Sequence, residues 1–405
     1  MNKRAKLKIK SIDPIIRQKI CCGCGACTVI CPTSCINLIY GQKYNFPQVD
    51  SDRCSSCGKC LKVCPSAFLL YGADPGSADE PQEPGDCYLV HCADERVRLD
   101  AASGGFITGL ILHLMDKGAV DGAIVARCEG ETPLIAESFI ARNRDAVLSS
   151  CGSKYVPVSN CTALREVLQR PGRYIFIGTP CMIEGLTKLQ NFMPALKERI
   201  VLSVGFVCSG MASRISTKNY IENDGKVSIR DVRRIAYRGD GWPGRFRVFG
   251  KNGSLLMDRP YIGGSLVHVV SRDHYLRCEN CLDHWAHFSD IVVSDPWTAQ
   301  MMKNETIGRS AVMVRTRRGK ESIESGIRQG GLIADPITAE EMFSFNRHLV
   351  IDSRHPRHSW MAIYQLIFFR RMRYLLPLFK YLAVKRTITG LRTTLNAFFD
   401  KKYYL

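Results

Sequence analysis

The chain has no apolar run of membrane-spanning length: the stretch 364–369 is cut by Arg370, Arg371 and Arg373. Its first twenty residues lack the uninterrupted apolar segment of a secretion signal and carry Lys3, Arg4, Lys6, Lys8 and Lys10 instead. Acidic residues are the minority, 38 against 56 Lys and Arg, yet no nucleic-acid-binding motif accompanies the resulting charge of +18. These absences argue against an integral membrane protein, a secreted one and a nucleic-acid binder. They leave a soluble or membrane-peripheral protein, expected in the cytoplasm. At 405 residues there is room for a small metal domain and a larger core.

The positive charge is unevenly placed. Residues 1–20 contribute +6 and residues 347–405 contribute +10, so only +2 remains for everything between. The two ends are therefore expected to be solvated helical surface, or to meet an anionic membrane surface or an acidic protein partner.

Cysteine is abundant, at 19 residues. A secreted disulfide scaffold is usually short, and most of these cysteines stand at metal-ligand spacing, which points to a reducing compartment. Eight form two copies of C-x2-C-x2-C-x3-C-P: Cys21, Cys24, Cys27, Cys31 before Pro32, and Cys54, Cys57, Cys60, Cys64 before Pro65. This is the run of bacterial two-cluster ferredoxins, in which the fourth cysteine ligates the other cluster. Cys21, Cys24, Cys27 and Cys64 are thus assigned to one 4Fe-4S cluster, and Cys54, Cys57, Cys60 and Cys31 to the second. Structural zinc competes on the C-x2-C pairs alone, but the doubled run disfavours it.

After this repeat, 72–86 is rich in Pro, Gly and acids and reads as a linker. Helix and strand patterns then alternate. Ile107, Leu110, Ile111, Leu114 and Met115 predict a helix over 104–117, and apolar strands are expected at 120–126, 174–177, 201–207 and 310–315. Short alternating runs around Lys251-Asn252-Gly253 predict a hairpin. The expected fold class is α/β, a mixed sheet with flanking helices, preceded by a small α+β bicluster ferredoxin domain and followed by basic C-terminal helices. The expected boundaries are 1–70, a linker at 71–87, a main domain at 88–345 and the extension at 346–405.

Four further cysteines sit where strands should end: Cys181, Cys208, and the pair Cys278 and Cys281. Spacing alone leaves a third cluster, structural zinc and buried free cysteines all open. Gly239-x-Gly241-x2-Gly244 satisfies a dinucleotide-binding pattern formally, but Trp242-Pro243 fills its centre and a hairpin follows, so it is rejected. His284 and His287 are weak candidates for hydrogen-bond or proton donors. Cys22, Cys35, Cys87, Cys92, Cys128, Cys151 and Cys161 have no assigned partner and are expected to be small buried residues.

Several ordered motifs carry a resemblance. They are Ser103-Gly104-Gly105 with Thr108, Val120-Asp121-Gly122, Cys151-Gly152-Ser153-Lys154-Tyr155, Gly178-Thr179-Pro180-Cys181, the stretch Tyr237 to Gly244, Cys278-x2-Cys281-x-Asp283, Ser289-Asp290-Ile291 and Asp295-Pro296-Trp297. Over roughly 88–345 the chain resembles the family of coenzyme F420 hydrogenase/dehydrogenase beta subunits. The resemblance implies FAD and a third 4Fe-4S cluster ligated by Cys181, Cys208, Cys278 and Cys281. It also implies flavin contacts at Ser103, Gly104, Gly105 and Thr108, a second flavin-facing segment at Gly152, Ser153 and Tyr155, and Trp242 on a loop over the flavin.

From sequence alone the start of that helix reads equally as an ordinary N-terminus capped by Ser103. The implied activity is an iron–sulfur flavoprotein oxidoreductase, with a redox protein or subunit as partner and coenzyme F420 or another small molecule exchanging hydride. The basic extension departs from the minimal family pattern. A non-catalytic electron-transfer subunit and a zinc protein with an interaction tail are the alternatives.

Overall fold

A computed structural model describes residues 11–67, 69, 85–263, 273–281, 283–347 and 349. The expected basic helices beyond residue 349, most of the linker and the first ten residues lie outside the described residues. Among the described residues no helix is long and apolar enough to cross a membrane.

The described residues build thirteen strands: β1 (Ile36–Tyr40), β2 (Asn45–Val49), β3 (Cys87–Cys92), β4 (Gly122–Arg127), β5 (Glu137–Ala141), β6 (Tyr174–Gly178), β7 (Ile200–Phe206), β8 (Val232–Ala236), β9 (Arg245–Gly250), β10 (Leu255–Pro260), β11 (Ile291–Ser294), β12 (Ser310–Val314) and β13 (Leu332–Ile337). β1 and β2 make an antiparallel pair within the cysteine repeat. An eight-stranded mixed sheet runs β13-β3-β12-β11-β7-β6-β4-β5, and β10-β9-β8 form a separate antiparallel sheet. The four central strands β11, β7, β6 and β4 are parallel, and antiparallel strands flank them on both sides.

The central strands are apolar because both faces are covered, as parallel strands require. Alternate residues of β6 point to opposite faces: Tyr174 and Phe176 join one core, Ile175 and Ile177 the other. The second core is closed by the helix Phe106–Asp116, through Phe106, Leu110 and Ile111, and by Ile323 of the helix Arg317–Arg328. Thr316 caps that second helix by accepting the Gly319 N–H.

The first core is continuous with the cysteine repeat. Ile12, Ile15, Ile20, Val29 and Val63 are buried in the same cluster as Met182, Leu186 and Leu189 of the helix Pro180–Gln190. At about 1.5–3 kcal/mol per fully buried side chain of this size, those five residues hold the repeat onto the sheet.

The expected helix and the five expected strand and hairpin segments all appear. The linker is shorter than 71–87 at its end. Gly85 N–H donates to the Val314 carbonyl at 3.1 Å and Val314 N–H to Asp86 at 2.9 Å, so these residues already edge β12, and Cys87 opens β3. Gly239, Gly241 and Gly244 form a loop with positive φ that runs straight into β9, with no helix after it.

Candidate functional site

Each copy of the cysteine run places a glycine in the left-handed region before a short helix, Gly25 (φ 88) before Ala26–Ile30 and Gly58 (φ 71) before Lys59–Lys62. The chain thereby reverses inside each loop, and in the first run Cys24 and Cys27, either side of the turn, are both buried. The thiols of Cys21 and Cys27 lie near that of Cys64: burial raises each, Cys64 raises Cys21 and Cys27 further, and burial with the nearby Cys22 pushes Cys64 up to about 12. The last cysteine of the second run thus sits with the first run. Reciprocally, the Cys31 sulphur is 3.4 Å from that of Cys35, which also senses Cys54. Cys24 leans toward Cys22 and Cys161, and Cys57 is exposed at the outer end. Buried thiols of this kind lose their protons when metal binds.

The sheet brings the other four together. β6 and β7 are parallel neighbours that end in register at Gly178 and Gly205. Cys181 follows the first within the opening turn of Pro180–Gln190, and Cys208 follows the second. The 3₁₀ turn Cys278–Asn280 supplies Cys278 and Cys281. All four line one small cavity, together with Cys22, Arg277, Asp283 and His284. Burial pushes the Cys208 thiol up to about 12, and Cys278 is raised by burial and by Cys208. The donor set, four soft sulphurs lining one small pocket beside the buried Arg277, fits a four-thiolate cluster. Among the described residues no three His, Cys, Asp or Glu side chains gather tightly enough for a single metal ion.

Adjoining it is a far larger cavity of about 980 Å³. Its walls include residues at or just beyond the C-terminal ends of all four parallel strands: Ala126 of β4, Gly178 and Thr179 after β6, Phe206 and Cys208 after β7, Ser294 and Asp295 after β11. That crevice is where open α/β sheets bind ligands. Thr179, Cys208, Ser209, Gly210 and Met211 line both cavities, so one strand end divides the four-cysteine pocket from the large one.

The sequence matches the models for the coenzyme F420 hydrogenase/dehydrogenase beta subunit, N-terminal part over residues 87–165 and C-terminal part over 172–340, and a 4Fe-4S dicluster domain over 20–68. The chain belongs to the family of coenzyme F420 hydrogenase/dehydrogenase beta subunits. With the dicluster domain it is an iron–sulfur protein of electron transfer.

Among its relatives is the beta subunit of the coenzyme F420 hydrogenase of Methanosarcina barkeri, 22% identical over 62% of this chain and 81% of that one. Another is the coenzyme F420-dependent sulfite reductase of Methanocaldococcus jannaschii, 23% identical over 76% of this chain and 46% of that one. The F420-reducing [NiFe] hydrogenase complex from Methanosarcina barkeri contains a chain of the same fold, with a TM-score of 0.54 and 21% identity over 68% of this chain and 93% of that one.

Of the family positions expected to face a flavin, Ser103, Gly105, Thr108, Gly152, Ser153 and Tyr155 line the large cavity. Ser103 does not cap the helix: its hydroxyl donates to the Arg309 carbonyl. Gly105, in the left-handed region (φ 71), is the cap residue and supplies no side-chain acceptor, so the first-turn N–H groups are left for whatever enters the cavity.

Gly104 and Trp242 do not line it. Gly104 is wedged in the backbone, where an added Cβ would lie 2.3 Å from the Val90 carbonyl oxygen and 2.6 Å from Ser310 N. Trp242 is buried behind the wall, its indole N–H donating to Asp295 at 2.9 Å and its ring 5.1 Å from Trp297.

The aromatic side chains that line the cavity include Tyr155, Tyr261 and Trp297, stacked in sequence at 5.9 and 6.2 Å. Arg238 backs them, 4.6 Å from the Tyr261 ring and paired with Asp295 at 2.9 Å. Lys154, within the motif Cys151 to Tyr155, is a site residue that spacing alone does not single out. Its ammonium donates to the carbonyls of Ser150, Cys151 and Gly152, the last two at 3.1 and 2.8 Å. His284 Nδ1 bonds the Cys208 carbonyl at 2.8 Å, and His287 bonds Asp283 at 2.8 Å.

Proposed function

We propose that this chain is an iron–sulfur flavoprotein oxidoreductase. It would relay electrons between the two ferredoxin-type clusters, a third cluster held by Cys181, Cys208, Cys278 and Cys281, and FAD in the large cavity. A small organic hydride acceptor or donor of the coenzyme F420 type would meet the flavin there. The single observation that carries the reading is the shared wall, Thr179 and Cys208–Met211, between the four-cysteine pocket and a cavity large enough for a dinucleotide. A flavin exchanges electrons singly with clusters and in pairs, as hydride, with organic substrates.

The chain's own residues would act by binding and positioning. The uncapped first turn at Gly105–Thr108 offers N–H donors to a pyrophosphate. Gly152 and Ser153 bring backbone close to the ligand, and Lys154 fixes that loop from beneath. Tyr261 and Trp297 give flat apolar faces for a planar ring. Cys57, exposed at the far end of the repeat, marks the side from which a redox partner is served.

That relatives are named as subunits favours a second reading, electron delivery to a partner enzyme without hydride chemistry. Anaerobic purification with iron, sulfide and flavin quantification separates the two. About twelve irons and one FAD are expected from three cubanes. Eight irons would remove the third cluster, and absence of flavin after reconstitution would leave the relay subunit.

A further inference from the structure

A buried guanidinium lies between two of the cysteine sites. Arg277 is 3% exposed and lines the pocket of Cys181, Cys208, Cys278 and Cys281. Its Nη2 reaches across to the Pro65 carbonyl at 3.5 Å, and Pro65 directly follows Cys64 of the ferredoxin-type repeat. The charged and ionisable groups around it include Cys281, Cys22, Cys181 and Glu184. Glu184 is itself bonded at 2.7 Å to Lys188, whose ammonium lies 3.5 Å from the Cys64 carbonyl. Two buried cations and one carboxylate are thus set into the partition between the repeat and the four-cysteine pocket.

We propose that Arg277 sets the reduction potential of the cluster at Cys181, Cys208, Cys278 and Cys281 and couples it to the neighbouring cluster at Cys64. The inference rests on the proposed third cluster. Each one-electron reduction adds one negative charge to a largely buried site. A fixed cation a few ångströms away stabilises the reduced form, because Coulomb terms are weakly screened there. Contact with the Pro65 carbonyl on the other side gives the same residue a hold on the loop that bears Cys64. Arg277 is therefore a positioning and tuning residue, reached by neither substrate nor flavin.

The test is an anaerobic redox titration of the full chain followed by electron paramagnetic resonance, with the third cluster identified as the signal missing from Cys278→Ser. Arg277→Met should lower its midpoint so that, at the wild-type midpoint potential, the reduced-to-oxidised ratio falls about tenfold, which is about 59 mV for a one-electron couple. Arg277→Lys should keep the ratio within about threefold of wild type. Glu184→Gln, which removes a facing negative charge with little change of shape, should raise the ratio and carries the test if Arg277→Met fails to assemble. An unmoved midpoint in Arg277→Met with full iron, equal shifts in the Lys and Met variants, or a fall in Glu184→Gln would each overturn the assignment. Eight irons in the wild-type protein would instead overturn the cluster reading beneath it, and this inference with it.

Discussion

Replacing Lys154 by methionine keeps the length and apolar stem of the side chain and removes only the ammonium. That group gathers three successive carbonyls, Ser150, Cys151 and Gly152, into one turn under the large cavity. Burial lowers its pKa, while the three converging dipoles favour its charged form. Hydrogen bonds to a charged group contribute about 1.5–3 kcal/mol each, but carbonyls released beside a large cavity recover part of that from water. The net loss should be about 2–3 kcal/mol, borne by the loop that presents Gly152 and Ser153 rather than by the cores.

If that loop holds FAD, the apparent dissociation constant should rise about thirty- to a hundredfold, since 1.4 kcal/mol is tenfold. The assay is a fluorescence titration of flavin-depleted protein with FAD, alongside iron content and far-ultraviolet circular dichroism as controls. Affinity within threefold of wild type, with iron retained, would refute the placement of the flavin against residues 150–155.

Cys278→Ser should reduce bound iron from about twelve to about eight per chain without removing FAD, because its pocket and the large cavity are separate spaces joined at Cys208; unchanged iron would exclude it as a ligand. Gly23→Ala should cost more than about 3 kcal/mol, since its φ is +69° and the new Cβ would fall 2.3 Å from Tyr275 Oη and 2.9 Å from the Asn45 carbonyl oxygen. Proteolysis should then release the cysteine repeat, and a wild-type cleavage pattern would show that Tyr275 yields instead. Trp297→Leu removes the flat face between Tyr261 and Trp242; loss of about 1–1.5 kcal/mol of stacking should raise KM roughly tenfold with kcat less affected. An unchanged KM would take Trp297 out of the substrate wall.

The ferredoxin repeat and the alternation of strands and helices were legible because each rests on local spacing: two copies of one cysteine run, and apolar runs bounded by polar turns. The third cysteine set was not. Cys181 and Cys208 come together because β6 and β7 are parallel neighbours, and the Cys278/Cys281 pair joins them through contacts distant in sequence, neither of which spacing encodes. The burial of Trp242 escapes a sequence reading for a related reason. An aromatic in a glycine-rich loop reads as available for stacking, whereas here Asp295 and Trp297 draw it behind the wall. Lys154 and Trp297 lie inside family motifs, but nothing local shows that one binds three carbonyls of its own loop and the other faces a cavity.

The division into a ferredoxin module and a separate main domain also needs revising in physical terms. Asp273 and Tyr275, shortly before Cys278, are both anchored in the repeat. Asp273 accepts from the Tyr44 hydroxyl at 2.9 Å. The Tyr275 hydroxyl accepts the Asn45 N–H at 2.8 Å and donates to the Asn45 carbonyl at 3.0 Å, with its ring 4.2 Å from Tyr44. From the other side, Arg214 donates to the Gly41 carbonyl at 2.6 Å and to Asn45, and Ser159 binds the Gly23 carbonyl. The loop bearing two of the four pocket cysteines is thus positioned by the repeat as well as by the segment after β7, whose Ser213 N–H donates to the Asp273 carbonyl at 2.8 Å. Cys22, between two cysteines of the first run, completes the lining of that pocket. The four-cysteine pocket is therefore lined by both parts of the chain, and their shared core follows from that: a pocket assembled from both sides keeps its shape only if the two do not move against each other.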